Sequence, residues 1–150
     1  MDDVLLNKAE IVERCLCRVK EEYAACPELD NHTHLDAMIL NLERACQAAI
    51  DMAEHVAAKD HLGVPQTRAA AFELLHKAGI IDTSLMKALK GMVDFRNIAV
   101  HEYQKLDMNI FQYVIRTGYK DIALFCEKLG VRIAVGKCVP TPVSGNEKKG

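Results

Sequence analysis

The sequence predicts an all-α protein, a compact bundle of about five helices. Three observations carry that prediction. Apolar residues recur at spacings of three and four along most of the chain, the period that gathers them on one face of a helix. The periodic segments are separated by helix-stopping residues: Pro27, the Gly63-Val64-Pro65 step and Gly79. Half of the residues are hydrophobic but only 5% are aromatic and Trp is absent, so the core has to be aliphatic. A chain of 150 residues suits one domain, and a domain of that size buries about two-thirds of its unfolded surface without needing staples.

The first helix is expected from about Asp3 to Cys26, with the stripe Val12, Cys15, Leu16, Val19, Tyr23 and Cys26, and Pro27 stops it. DNHTHLDAM opens the second helix, where Thr33 followed by Asp36 resembles a capping box. This helix has the longest stripe: Leu35, Met38, Ile39, Leu42, Cys46, Ala49, Ile50, Ala53 and Val56. A short third helix, about Thr67 to Lys77, ends at Gly79 as its C-cap. Asp82 or Thr83 caps the fourth, which carries Leu85, Met86, Leu89, Met92 and Val93 into FRNIAVHEY. Asp107 caps the fifth, with Leu106 stapled onto Phe111 and a stripe of Phe111, Val114, Ile115, Ile122, Phe125 and Leu129. GVRIAV extends that helix or lies against it. The expected organisation is a helical domain over 1–135 and a flexible tail over 136–150, because GKCVPTPVSGNEKKG is rich in Pro and Gly with a charged end.

Lys plus Arg is 19 and Asp plus Glu is 21, a net charge of −2. No global basic field attracts nucleic acid, so any RNA contact has to come from a local patch or a dimer groove. The N-terminus is charged and amphipathic, which argues against a secretory signal. No apolar run approaches the roughly 20 residues of a membrane span. A cytoplasmic location is expected, with no membrane contact and with the six cysteines reduced.

FRNIAVHEY, residues 95–103, breaks the pattern of the fourth helix. At about 100° per residue, with Leu85 as zero, Arg96 falls at about 20°, in the middle of the apolar stripe. An arginine there is costly unless it is paired, at an interface or lining a site. Arg96 and His101 lie about 140° apart, so they converge only if the helix ends or distorts, or if two protomers each supply a copy. Asn97 and His101, four apart, share a face. A bland alternative is an Arg paired with a Glu of another helix beside an exposed His and Tyr.

RNIAVHEY resembles the Arg–x4–His–x–Tyr signature of the HepT toxins, in the HEPN superfamily of small all-α proteins. ILNLERACQAAIDMAEHV, LGVPQTRAAAFELLHKAGII and LKGMVDFRNIAVHEY resemble that family in order and spacing, and the likeness covers roughly residues 1–129. It implies the toxin of a type VII-like toxin–antitoxin pair, acting as a metal-independent endoribonuclease on RNA. Arg96 and His101 would be the catalytic pair and Asn97 a positioning residue. The implied partner is a MntA-like minimal nucleotidyltransferase antitoxin that neutralises the toxin by adenylylating Tyr103. No cofactor or metal is implied. The chemistry is coherent: RNA brings its own 2′-OH nucleophile, His suits proton transfer near neutral pH, and Arg offers a planar cationic fork to phosphate oxygens. A homodimer would bring two such pairs to one groove. If the helix continued to Tyr103, that phenol would fall at about 0°, beside Arg96. The alternative is a non-catalytic HEPN dimer that serves as a binding module for a nucleotidyltransferase.

Other polar groups have plainer readings. Asp30, His32, His34 and Asp36 hold metal-ligating types, but they open a helix and capping accounts for them. His55, His61 and His76 are read as solvated. Asp36, Asn41 and Arg44 are read as a solvated face, with lining of the cleft beside the fourth helix as the alternative. Lys8, Arg14, Arg18 and Lys20 alternate with Glu10, Glu13, Glu21 and Glu22 as an ordinary salt-bridged surface.

Overall fold

A computed structural model describes residues 2–101 and 107–135. It contains α1 (Asp3–Ala25), α2 (His32–Lys59), α3 (Arg68–Lys77), α4 (Thr83–His101), α5 (Met108–Tyr113), a π-helical turn (Val114–Gly118) and α6 (Tyr119–Lys128). The last three run without a break, so five helical rods are present, and no strand occurs among the described residues. The π turn inserts one wide turn into what the apolar period reads as a single helix.

Each start has a chemical reason. Asp2 accepts from the N–H groups of Val4 and Leu5 at the head of α1. Asn31, rather than the expected Thr33–Asp36 box, caps α2: its side-chain oxygen takes the N–H of Thr33 at 2.9 Å and of His34 at 3.4 Å. Thr67 caps α3, Asp82 caps α4 through the N–H of Leu85, and Asp107 caps α5. After α3, Gly79 at φ +79 adopts the left-handed turn that lets Ile80 N–H reach back to the Leu75 carbonyl. Leu106 lies outside the described residues.

α2 is the centre of the bundle. It packs along α1 most extensively and also touches α3, α4 and α6. All nine stripe positions expected for it are buried. Three ties show that α1 and α2 run antiparallel: Lys8 to Asp51 at 2.9 Å, Glu22 to His34 at 2.6 Å, and Asp2 to His55 at 2.8 Å. Asp2 also pairs with Lys59, and His76 Nε2 lies 2.9 Å from Thr83 Oγ1. His55 and His76 are therefore partnered, not merely solvated. Within α1, Arg18 reaches Glu22 at 3.1 Å, and Lys20 sits 4.5 Å over the Tyr119 ring.

Two aromatic pairs fix the remaining helices. Phe72 of α3 meets Phe125 of α6 edge-on at 5.3 Å, and Phe95 of α4 stacks on Phe111 of α5 at 6.2 Å. The second pair anchors α4 one residue before Arg96. The GVRIAV segment leaves the helix: Gly130 at φ +91 turns the chain, and Val135 returns to the core. Cys15, Cys26, Cys46 and Cys126 are free and buried. Cys17 is disulfide-bonded, which departs from the expectation of six reduced thiols.

Candidate active site

The candidate site occupies the C-terminal half of α4. Leu85, Leu89, Met92, Val93, Phe95 and Ala99 of this helix are buried. Arg96 interrupts that face and is half-buried. Its Nε is buried and has no hydrogen-bond partner among the described residues. Leaving a charged donor so placed costs more than leaving it in water, on the order of 1–3 kcal/mol or above. Of the alternatives open to a stripe arginine, pairing at Nε is thus not the one used among the described residues. Its charge also reaches the interior. Burial pushes the Cys46 thiol of α2 up to about 12, and Arg96 opposes that rise while Glu43 adds to it.

Asn97 is half-buried and His101, the last described residue of α4, is exposed. The described part of α4 reaches His101. Tyr103 and Glu102 lie outside the described residues.

Beside this stretch runs a groove of about 330 Å³ between α2 and α4, lined by Asp36, Ile39, Leu40, Glu43, Ala99 and Val100. Asp36 therefore belongs to the cleft beside α4. Asn41 and Arg44 line a groove on the α1 side of α2. Glu43 and the apolar rim escaped the sequence reading. Leu40 is 44% exposed, Ile98 37% and Val100 41%. For Leu40 the signal was present, since it is an apolar residue off the buried stripe of α2, and an exposed position of that kind beside a polar motif marks a contact surface.

His34, one of the metal-ligating types of DNHTHLD, bonds Glu22, and Asn31 performs the capping. That hydrogen bond, followed by the one from Arg18, holds the Glu22 carboxyl below its ordinary range. A separate trio in the α1–α2 loop, Cys26, Glu28 and Asp30, brings its ligand atoms within 4.8 Å of one another. There the Cys26 thiol donates to Asp30 at 3.3 Å, which accounts for the approach of those two.

Among the described residues, no helix is long and apolar enough to cross a membrane. The chain resembles known proteins over nearly all of its helical part. A protein named mRNA nuclease HepT, from Shewanella oneidensis, is 37% identical over 128 residues, 85% of this chain and 96% of that protein. The structure of a tri-AMPylated Shewanella oneidensis HEPN toxin in complex with MNT antitoxin aligns with a TM-score of 0.82 at 36% identity, over 86% of this chain and 98% of that one. A toxin–antitoxin crystal structure with AMP-PNP aligns equally well, at 0.82 and 35% identity, over 86% and 99%. The family described as ribonuclease HepT-like matches residues 5–129, so the chain belongs to the HepT-like family.

Proposed function

We propose that the protein is a metal-independent endoribonuclease toxin, with Arg96 and His101 as the catalytic pair. One observation carries the assignment: a half-buried arginine in the middle of an apolar helix face, its Nε without a partner among the described residues, five positions before an exposed histidine. A phosphate oxygen is the partner that geometry suits. Membership of a family described as ribonucleases, and a relative named as an mRNA nuclease, support the same reading.

In this mechanism the ribose 2′-OH attacks the adjacent phosphorus. His101 takes the 2′-OH proton as general base, and Arg96 stabilises the charge that builds on the phosphorane oxygens. Asn97 positions the phosphate or the imidazole. The 5′-oxygen leaves with a proton, and the products are a 2′,3′-cyclic phosphate and a 5′-hydroxyl. The protein works as a homodimer in the cytoplasm. The exposed Leu40 and Val100 beside the motif form the contact face, and the second copy supplies the imidazole that protonates the leaving oxygen. Light scattering should then report twice the 16.7 kDa chain mass, and a charge at Val100 should reduce it to one.

Tyr103 is the off-switch. The related structures include a tri-AMPylated toxin held by its MNT antitoxin, and a MntA-like nucleotidyltransferase is the partner proposed for this chain. If α4 continues as a helix to Tyr103, an adenylyl group there brings phosphate to Arg96, where the RNA phosphate would bind. The test is to incubate the chain with such a nucleotidyltransferase, ATP and magnesium, then map the added mass. Modification at Tyr103 with loss of RNA cleavage is expected. Full neutralisation of Tyr103→Phe would show that inhibition comes from binding alone.

A further inference from the structure

A chain of net charge −2 offers RNA no general attraction, so its phosphate contacts have to be gathered locally. A groove of about 510 Å³ between α1 and α2 gathers cations in this way. Among the described residues its lining sets Arg14 and Arg18 of α1 and Arg44 of α2 against one carboxylate, Glu21. Arg14 and Arg18 are four apart and share a face of α1, and α2 brings Arg44 to the same groove. The convergence shows at Cys15, in the groove wall. Burial pushes its thiol up, and Arg44 and then Arg14 oppose that rise. Cations from both helices thus stand near one thiol.

The fold does not use up these guanidiniums. Arg14 lies 3.8 Å from Glu10 with both side chains 71% exposed, a pair that contributes little. Arg18 donates its Nε–H to Glu22 at 3.1 Å, and the other donors of its fork are left over. Arg44 is exposed and makes no hydrogen bond or ion pair among the described residues. Lys8 and Asp51, or Glu22 and His34, pair across the hairpin, whereas these three cations face outward. Like charges held in one groove repel one another until an anion lies among them. A ligand with several phosphates along its length suits three planar forks presented by two helices.

The groove also borders the α4 site. Leu40 lines the groove beside α4 and Arg44 lines this one. The two residues are four apart on α2, neighbours on its surface with Cβ atoms about 6 Å apart.

We propose that the α1–α2 groove binds the phosphodiester backbone of RNA outside the cleavage position, with Arg14, Arg18 and Arg44 as the phosphate contacts. The identity of the polyanion rests on the ribonuclease reading of α4. The work divides between the two places. The groove holds the strand through charge without reading its bases, and Arg96 and His101 act on the scissile phosphate. Each phosphate contact releases counterions, so losing one flattens the slope of log affinity against log salt by about 0.7 for a single strand.

The test measures binding of a fluorescent single-stranded 2′-O-methyl RNA, which lacks the attacking hydroxyl, to the full chain over a range of salt. Arg14→Gln/Arg18→Gln/Arg44→Gln should lose at least about tenfold in affinity at low salt and flatten the slope by about 2. Arg44→Gln alone, a change at an exposed position, should flatten it by about 0.7. Lysine at all three positions should keep the slope. Removing three exposed cations elsewhere, as Arg68→Gln/Lys77→Gln/Lys87→Gln, should leave it nearly unchanged. Cleavage of unmodified RNA by the triple Gln groove variant should fall at low RNA concentration and recover at saturation, whereas Arg96→Ala should stay slow there. An unchanged slope in the groove variants, or an equal loss in the control, would overturn the proposal, and Arg96-dependent cleavage would leave the ribonuclease reading intact. Unchanged RNA affinity with weaker binding to a nucleotidyltransferase would assign the groove to a protein partner and overturn it too. The expected loss of slope in a chain that cleaves no RNA would support the groove and strike the ribonuclease reading alone.

Discussion

The α1–α2 hairpin and the C-terminal half of α4 treat polar groups in opposite ways. Along the hairpin, charged groups drawn towards the core meet partners on the facing helix. Asp2 meets His55 and Lys59, Lys8 meets Asp51, and Glu22 meets His34. In the last turns of α4 the buried Nε of Arg96 meets none among the described residues, and Ile98 and Val100 face outward. Unmet hydrogen-bonding capacity lowers stability, so a fold holds it where something outside the chain is to meet it. The contrast predicts that changes in the hairpin and core alter stability, whereas changes at the end of α4 alter activity.

The largest stability effect is expected in the core. Phe72→Ala removes a side chain that is 1% exposed and packs on Phe125. It should cost about 3–5 kcal/mol by denaturant titration. A loss under about 1 kcal/mol would mean that α3 is not part of the cooperative core.

Arg96→Met sharpens the comparison by moving the two properties apart. It keeps much of the length and removes the unpartnered donor. RNA cleavage should fall at least about 100-fold, as expected when a charge-stabilising group is lost. Stability should stay the same or rise by about 1 kcal/mol, since the buried Nε no longer lacks a bond. Destabilisation by several kcal/mol would mean that Arg96 is a structural residue, and the contrast would be broken.

Asn31→Ala is the converse. The cap accepts two N–H bonds at the head of α2, and its loss should cost about 1 kcal/mol while leaving cleavage unchanged at a temperature where the variant is folded. The smallest effect concerns acid. Glu22 is held below its ordinary carboxyl range, first by the His34 hydrogen bond and then by Arg18. A depressed carboxylate stabilises the fold above its unfolded pKa, and that stabilisation is lost as pH falls through the lowered folded value. The melting temperature of Glu22→Gln should lie below that of the unsubstituted chain at pH 7. The gap should close as pH falls below about 4.

The same contrast explains what could be read from the residues. The stripe of α2 was legible because burial follows the helical period, and all nine positions lie inside. The stripe did not show that Ala45, Ala48, Met52 and Ala57 are buried as well. α2 packs against four elements, and a single-face pattern describes one of them. The cap moved from Thr33 to Asn31 because either side chain suits the role and only the backbone path decides. The roles of His34 and His55 were out of reach, since their partners lie twelve and fifty-three residues away. Arg96 was legible by position, as a cation on an apolar stripe. Its unmet Nε was not, because that depends on what the other helices leave out. The same holds for Leu40 and Val100, which two helices bring to one groove.

The most direct test of the catalytic reading is single-turnover cleavage of RNA in EDTA. It compares the unsubstituted chain, Arg96→Ala and His101→Ala, with Asn31→Ala as a folded control and helicity followed by circular dichroism. The account predicts cleavage by the unsubstituted chain and the control, with 2′,3′-cyclic phosphate ends. It predicts a loss of at least about 100-fold in the other two at unchanged helicity. Cleavage that stops in EDTA, or that persists undiminished in either α4 variant, would contradict it.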